Sequence, residues 1–209
     1  TGSAPVGRAT VFIALSSIIM TVASAAPVPD VGWGAYGGDA GGTRYSTAAQ
    51  ITPANVDQLE VAWTFRTGEL GQGVKDWNRS AFEATPILYD GTLYLTTSST
   101  DVVAVNAVTG QLRWRHDSRS RDDLHYSDGV SRGVSLWVDP SSPPDAVCHA
   151  RIFAPTLDGR LLALDAATGK PCVEFGERGA VNLLLDVRSQ FKEGDEWRDY
   201  LVTSPPAIL

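Results

Sequence analysis

The side chains in this sequence able to bind a metal, form a covalent bridge or move a proton are few and widely spaced. Cys148 and Cys172 are its only cysteines. Two thiols can close a disulfide or share a zinc ion, but zinc normally takes four ligands, and the Cys148-His149 pair has no further partner group nearby in sequence. An even count favours a disulfide in an exported chain, and residues 1–26 read as an export segment. Closing a loop of that length would stabilise the fold by roughly 3 kcal/mol in the chain-entropy model. His116, His125 and His149 stand alone, and none is expected to be catalytic. Glu174, Glu177, Asp186, Glu193, Asp195 and Glu196 form an acidic run without the alternating ligand spacing and glycine of a calcium loop. A solvated loop is the expectation there.

These residues need a scaffold, and 209 residues with 43% hydrophobic and 20% charged side chains are enough for a globular core. The net charge is −7, and the 17 Lys and Arg are scattered rather than gathered into a stripe. That excludes nucleic acid as a partner, since a phosphate backbone requires a basic footprint. In residues 1–26, Arg8 gives a positive start, 9–22 are apolar apart from small hydroxyl residues, and Ala23-Ser24-Ala25 offers a small-x-small cleavage pattern. A signal peptide or a membrane anchor is expected there. The chain is then periplasmic, with inner-membrane association as the variant.

From about Val61 onward, short apolar runs alternate with Gly, Pro, Asp and Ser, which is the pattern of many short strands. Strands are expected at 61–66, 85–89, 92–97, 102–106, 112–116, 133–138, 151–155, 161–165 and 204–209. Glycine turns at Asp90-Gly91, Thr109-Gly110, Asp158-Gly159 and Thr168-Gly169 would join several of them as hairpins. An internal repeat is visible: Val103-Ala104-Val105-Asn106-Ala107-Val108-Thr109-Gly110 is matched by Leu162-Ala163-Leu164-Asp165-Ala166-Ala167-Thr168-Gly169. Four-stranded sheets repeated in this way predict an all-β fold, a β-propeller with blades stacked about an axis. The blades are expected at about 83–116 and 130–175, with a third starting at 203–209. Two blades and a start do not close a ring, so the chain reads as the first part of a larger propeller, 27–209 following the export segment.

The residues then resemble a known family, the PQQ-dependent (quinoprotein) dehydrogenases. The resemblance rests on Trp33-Gly34-Ala35-Tyr36-Gly37-Gly38-Asp39, Thr43-Arg44-Tyr45-Ser46, Ile51-Thr52-Pro53-Ala54-Asn55-Val56 and Leu59 to Gly68. The Ala-x-Asn/Asp-Ala-x-Thr-Gly-x-x-x-Trp motif adds to it at Ala104 to Trp114 and, with Cys172 in place of the Trp, from Ala163. It implies an eight-bladed propeller that binds pyrroloquinoline quinone (PQQ) and Ca²⁺ on its axis. It also implies oxidation of an alcohol, sugar or polyol by hydride transfer, with a quinone or cytochrome as electron acceptor. Carried over by position, Glu83 resembles the glutamate that hydrogen-bonds the quinone, Arg132 the arginine that meets its carboxylate or carbonyl, and Thr203 a further contact residue. Each opens the first strand of its blade, so a radial stack would bring all three to one mouth, where an Arg fork suits a tricarboxylate. The plainer reading is a rim salt bridge between Glu83 and Arg132, with Thr203 merely ending a strand. Trp114 is expected to pack between blades.

The sequence departs from the alcohol-oxidising branch. Its adjacent cysteines are replaced by Tyr126-Ser127 and its Asn by Ser131, while Asp128 stands where sugar-oxidising members have histidine. The stretch from Arg151 to Leu183 resembles the sugar and polyol branch. The aspartate base and the Ca²⁺ ligands are expected beyond Leu209, so no catalytic or metal residue is assigned. A reading from another class is a non-catalytic propeller that binds proteins in envelope assembly. That class carries a Cys directly after its signal, whereas the first Cys here is Cys148.

Overall fold

The computed structural model describes residues 32–69, 80–120, 129–188 and 201–208. Residues 1–26, expected as a signal peptide or membrane anchor, and His125, Tyr126-Ser127, Asp128, Glu193, Asp195, Glu196 and Leu209 lie outside the described residues. The strands described are β1 (Ser80–Phe82), β2 (Ile87–Tyr89), β3 (Thr92–Thr96), β4 (Val102–Asn106), β5 (Leu112–His116), β6 (Gly129–Ser131), β7 (Ser135–Val138), β8 (Ala150–Pro155), β9 (Arg160–Asp165) and β10 (Ala180–Asn182). A 3₁₀ turn (Val56–Gln58) and one short helix, α1 (Leu184–Arg188), complete the elements. Strands β2-β3-β4-β5 form one antiparallel four-stranded sheet and β7-β8-β9-β10 a second.

The local chemistry explains the repeat. In the first sheet the Asn106 carboxamide oxygen accepts the Val108 and Thr109 amides, both at 2.9 Å. In the second, the Asp165 carboxylate accepts the Thr168 amide at 2.8 Å and its hydroxyl at 2.7 Å. Either side chain locks the turn that follows it, which is why Asn and Asp share this position. Strand β4 shows the layering. Val102 and Ala104 pack in a core with Ile152, Ala154, Leu162 and Leu164 of the second sheet, whereas Val103 and Val105 pack with Trp63 and Phe65 on the opposite face. The first sheet is therefore covered on both sides.

Trp114 seals the junction. Its Nε1 donates to the Ala166 carbonyl at 3.0 Å, and its ring lies on Gly169, where a Cβ would come within 2.5 Å of a ring carbon. Trp63 makes the same contact one sheet earlier, donating to the Ala107 carbonyl at 3.2 Å and lying on Gly110. The segment 61–67 thus stands where the outer edge of a preceding sheet would stand. It is not the strand expected at 61–66, because among the described residues no neighbouring strand pairs with it.

Other differences have local causes. The outer strand of the second sheet is β10, so that sheet runs on to Asn182, past residue 175. Pro171 brings no amide hydrogen, and residues 172–179 are drawn into a turn by the Cys172 amide on the Ala163 carbonyl and the Cys148–Cys172 bond. Residues 204–208 are not in a strand, and β1, β6 and α1 were not expected.

The disulfide expected from the cysteine count is present, with Cα atoms 5.9 Å apart, and it is buried against Ala163, Phe153 and Phe175. Replacing both cysteines by Ser is expected to lower unfolding free energy by about 2–4 kcal/mol, read by chemical denaturation under non-reducing conditions. An unchanged midpoint would show that the loop is held without it.

Candidate functional site

The site begins with backbone. Strands β1 and β6 pair in parallel, Ser80 opposite Gly129 and Phe82 opposite Ser131. Past their ends the Thr85 amide donates to the Arg132 carbonyl at 3.2 Å, and the Arg132 amide donates to the Thr203 carbonyl at 2.8 Å. Three segments far apart in sequence, the first two leading into the two four-stranded sheets, therefore lie side by side. Gly133 permits the close approach: its φ is +124°, and a Cβ there would sit 2.9 Å from the Thr85 carbonyl oxygen.

The side chains follow the backbone. Arg132 donates through Nη1 to the Thr203 hydroxyl at 2.7 Å, and its Nη2 lies 3.1 Å from Glu83 Oε2. The three residues singled out in the sequence meet in one row with Arg132 at its centre. The Arg132 side chain is 42% and the Glu83 side chain 40% exposed, so an ion pair this wet adds only about 0–1 kcal/mol to stability. Arg132 has five N–H donors and spends part of them on these neighbours. Two serines brace the row from below. Buried Ser131 donates to the Thr96 hydroxyl at 2.7 Å, and Ser135 donates to the Pro206 carbonyl. Sequence reasoning had not given these serines a role, because a lone Ser carries no signal until its partner is known.

The remaining candidates serve the fold. His116 donates from Nδ1 to the Gly169 carbonyl at 3.0 Å, and burial holds its imidazole below the usual histidine pKa. His149 Nδ1 is bonded to the Ser142 hydroxyl at 2.9 Å. A cleft of about 460 Å³ between the outer strands is lined by His116, Arg115, Arg119, Arg160 and Arg178 but by none of Glu83, Arg132 and Thr203. Two of its arginines are already paired, Arg115 with Asp101 and Arg160 with Asp158. Among the described residues no group of three or more His, Cys, Asp or Glu is placed to hold a metal ion.

Residues 33–209 match the family model described as PQQ: glucose/ethanol/alcohol dehydrogenase, beta-propeller domain. The chain belongs to the PQQ-dependent dehydrogenase β-propeller family. Among its relatives are the glycerol dehydrogenase large subunit of Gluconobacter oxydans (strain 621H) and the quinoprotein glucose dehydrogenase of Escherichia coli (strain K12). The first is 38% identical over 85% of this chain and 23% of its own length, the second 37% identical over 87% and 23%. Among solved structures, the quinohemoprotein alcohol dehydrogenase from Comamonas testosteroni superposes with a TM-score of 0.61 at 28% identity, covering 85% of this chain and 22% of that one. This PQQ-dehydrogenase propeller chain thus spans about a quarter of the length of the relatives it matches.

The cofactor that the family implies can be tested against the row. PQQ carries three carboxylates and needs fixed, accessible donors at its edge. Arg132 offers a guanidinium clamped by Glu83 and Thr203 on a side chain still two-fifths exposed, so these residues fit it.

Proposed function

We propose that these residues form part of a periplasmic dehydrogenase that oxidises an alcohol, sugar or polyol with PQQ and hands the electrons to a quinone or cytochrome acceptor. The observation that carries this reading is the row of Glu83, Arg132 and Thr203, assembled from three segments far apart in sequence, with the side chains of Glu83 and Arg132 two-fifths exposed. Bound PQQ supplies the acceptor for the hydride leaving the carbinol carbon. Arg132 binds a carboxylate or carbonyl oxygen of the cofactor, Glu83 aims the guanidinium and adds a hydrogen bond at the cofactor's edge, and Thr203 fixes the far side of the fork. The Ca²⁺ of this family and the aspartate base come from further blades of the complete polypeptide, and the export segment at 1–26 delivers it to the periplasm. A protein-binding propeller would leave the exposed ion pair without a purpose.

The complete polypeptide containing these residues, reconstituted with PQQ and Ca²⁺, is expected to reduce an artificial dye when given a sugar or polyol donor. Residues 1–209 alone should bind PQQ poorly, because most of the ring is contributed from elsewhere. Failure of the complete polypeptide to take up PQQ would remove the enzymatic reading.

A further inference from the structure

Glu69 is a buried carboxylate with no part in the row above, 9% exposed and tied to a loop some thirty residues away. Its Oε2 accepts the Ser98 amide at 2.9 Å, and its Oε1 accepts the Ser99 amide at 3.0 Å and the Ser99 hydroxyl. Burial alone would raise its pKa, but hydrogen bonds from Ser99, Thr97 and Ser98 outweigh burial and hold it below the usual carboxylate range. Glu69 is thus a fixed anion that shapes the tight turn between β3 and β4. The segment carrying it is fastened as well: Arg115 donates to the Thr67 carbonyl at 2.7 Å while paired with Asp101.

That loop reaches the site. The Ser98 hydroxyl donates to the Ala81 carbonyl at 3.2 Å, in the middle of β1 and two residues before Glu83. Strand β1, which receives this bond, is short. It is three residues long, Ala81 and Phe82 are exposed, and its sheet partner is β6, also three residues. A parallel pair so short is weak alone, yet it sets how Glu83 lies beside Arg132.

We infer that Glu69 is a positioning residue for the Glu83–Arg132 pair, acting through the Ser98 hydroxyl on β1. The inference rests on the PQQ reading of that pair. Glu69 touches neither the pair nor the mouth; it fixes the turn, the turn fixes β1, and β1 sets the height of Glu83.

A double-mutant cycle in the complete polypeptide tests this, with PQQ titrated by fluorescence quenching. Ser98→Ala removes only the hydroxyl, leaving both amides on Glu69, so it is expected to weaken PQQ binding about three- to tenfold, the span of one ordinary hydrogen bond, without lowering Tm. Glu69→Gln keeps one acceptor oxygen and should weaken binding less than Glu69→Ala. In a Glu83→Gln background, Ser98→Ala should change PQQ affinity less than twofold, because the group it positions is already altered. Equal effects of Ser98→Ala in both backgrounds, or no effect in either, would overturn the inference. A wild-type polypeptide that binds no PQQ would instead sink the underlying reading. If Glu69→Ala fails to fold, Glu69→Gln measured in the wild-type and Glu83→Gln backgrounds beside Ser98→Ala still decides.

Discussion

Arg132→Ala in the complete polypeptide is expected to raise the PQQ dissociation constant by roughly 10- to 100-fold. A hydrogen bond to a charged group contributes about 1.5–3 kcal/mol, and about 1.4 kcal/mol is one decade in affinity. The substitution has a second consequence, because Glu83 loses the cation 3.1 Å away and is left beside a polyanionic cofactor. Folding stability should hardly move, since an ion pair this exposed contributes only about 0–1 kcal/mol. Arg132→Lys separates charge from geometry. It keeps the positive charge but loses the planar fork that spans Thr203 and Glu83, so an intermediate affinity is expected. Fluorescence titration alongside thermal unfolding reads both quantities. Loss of stability matching the loss of affinity would mean that Arg132 is a structural clamp.

Gly133→Ala is expected to destabilise the junction of the two sheets by about 2–4 kcal/mol. At φ +124° an L side chain is strained by roughly 1–3 kcal/mol whatever surrounds it, and here the added carbon also meets the Thr85 carbonyl oxygen at 2.9 Å. Relief requires β1 and β6 to part beyond their ends. That breaks the 3.2 Å bond from the Thr85 amide to the Arg132 carbonyl and moves Arg132 away from Glu83. Stability and PQQ affinity should therefore fall together, in contrast to Arg132→Ala. Urea denaturation showing a change below about 0.5 kcal/mol would mean that the two lead-in segments do not need this contact.

How far the sequence could be read depended on where each signal resides. Strands β4 and β5 fall where they were expected, because β4 is a run of small and β-branched residues buried on both faces and β5 follows a glycine turn. The Asn106 and Asp165 positions were legible as a repeat because each side chain performs the same local hydrogen bonding. Strands β1 and β6 were not legible. Ser-Ala-Phe and Gly-Val-Ser have no periodicity, and what makes them strands is each other, across a long stretch of chain. Trp63 lies in a segment with strand composition but without a ladder, and only its likeness to Trp114 explains its place.

The site divides in the same way. Glu83, Arg132 and Thr203 were legible through family resemblance and the expectation that each precedes a blade's first strand, and the fold brings Glu83 and Thr203 into contact with Arg132. Glu69 was missed. Its partners are backbone amides distant in sequence, and an acid after Thr67-Gly68 looks like any loop residue. Ser131, at the position where the resemblance led to the expectation of an asparagine in the alcohol-oxidising branch, turns its hydroxyl to Thr96.

The most direct measurement of the central claim is a crystal structure of the complete polypeptide soaked with PQQ. A PQQ carboxylate or carbonyl oxygen is expected at about 2.7–2.9 Å from the Arg132 guanidinium, with Glu83 and Thr203 flanking it in the row described. PQQ bound elsewhere, with the Arg132–Glu83 pair untouched and facing only solvent, would contradict it.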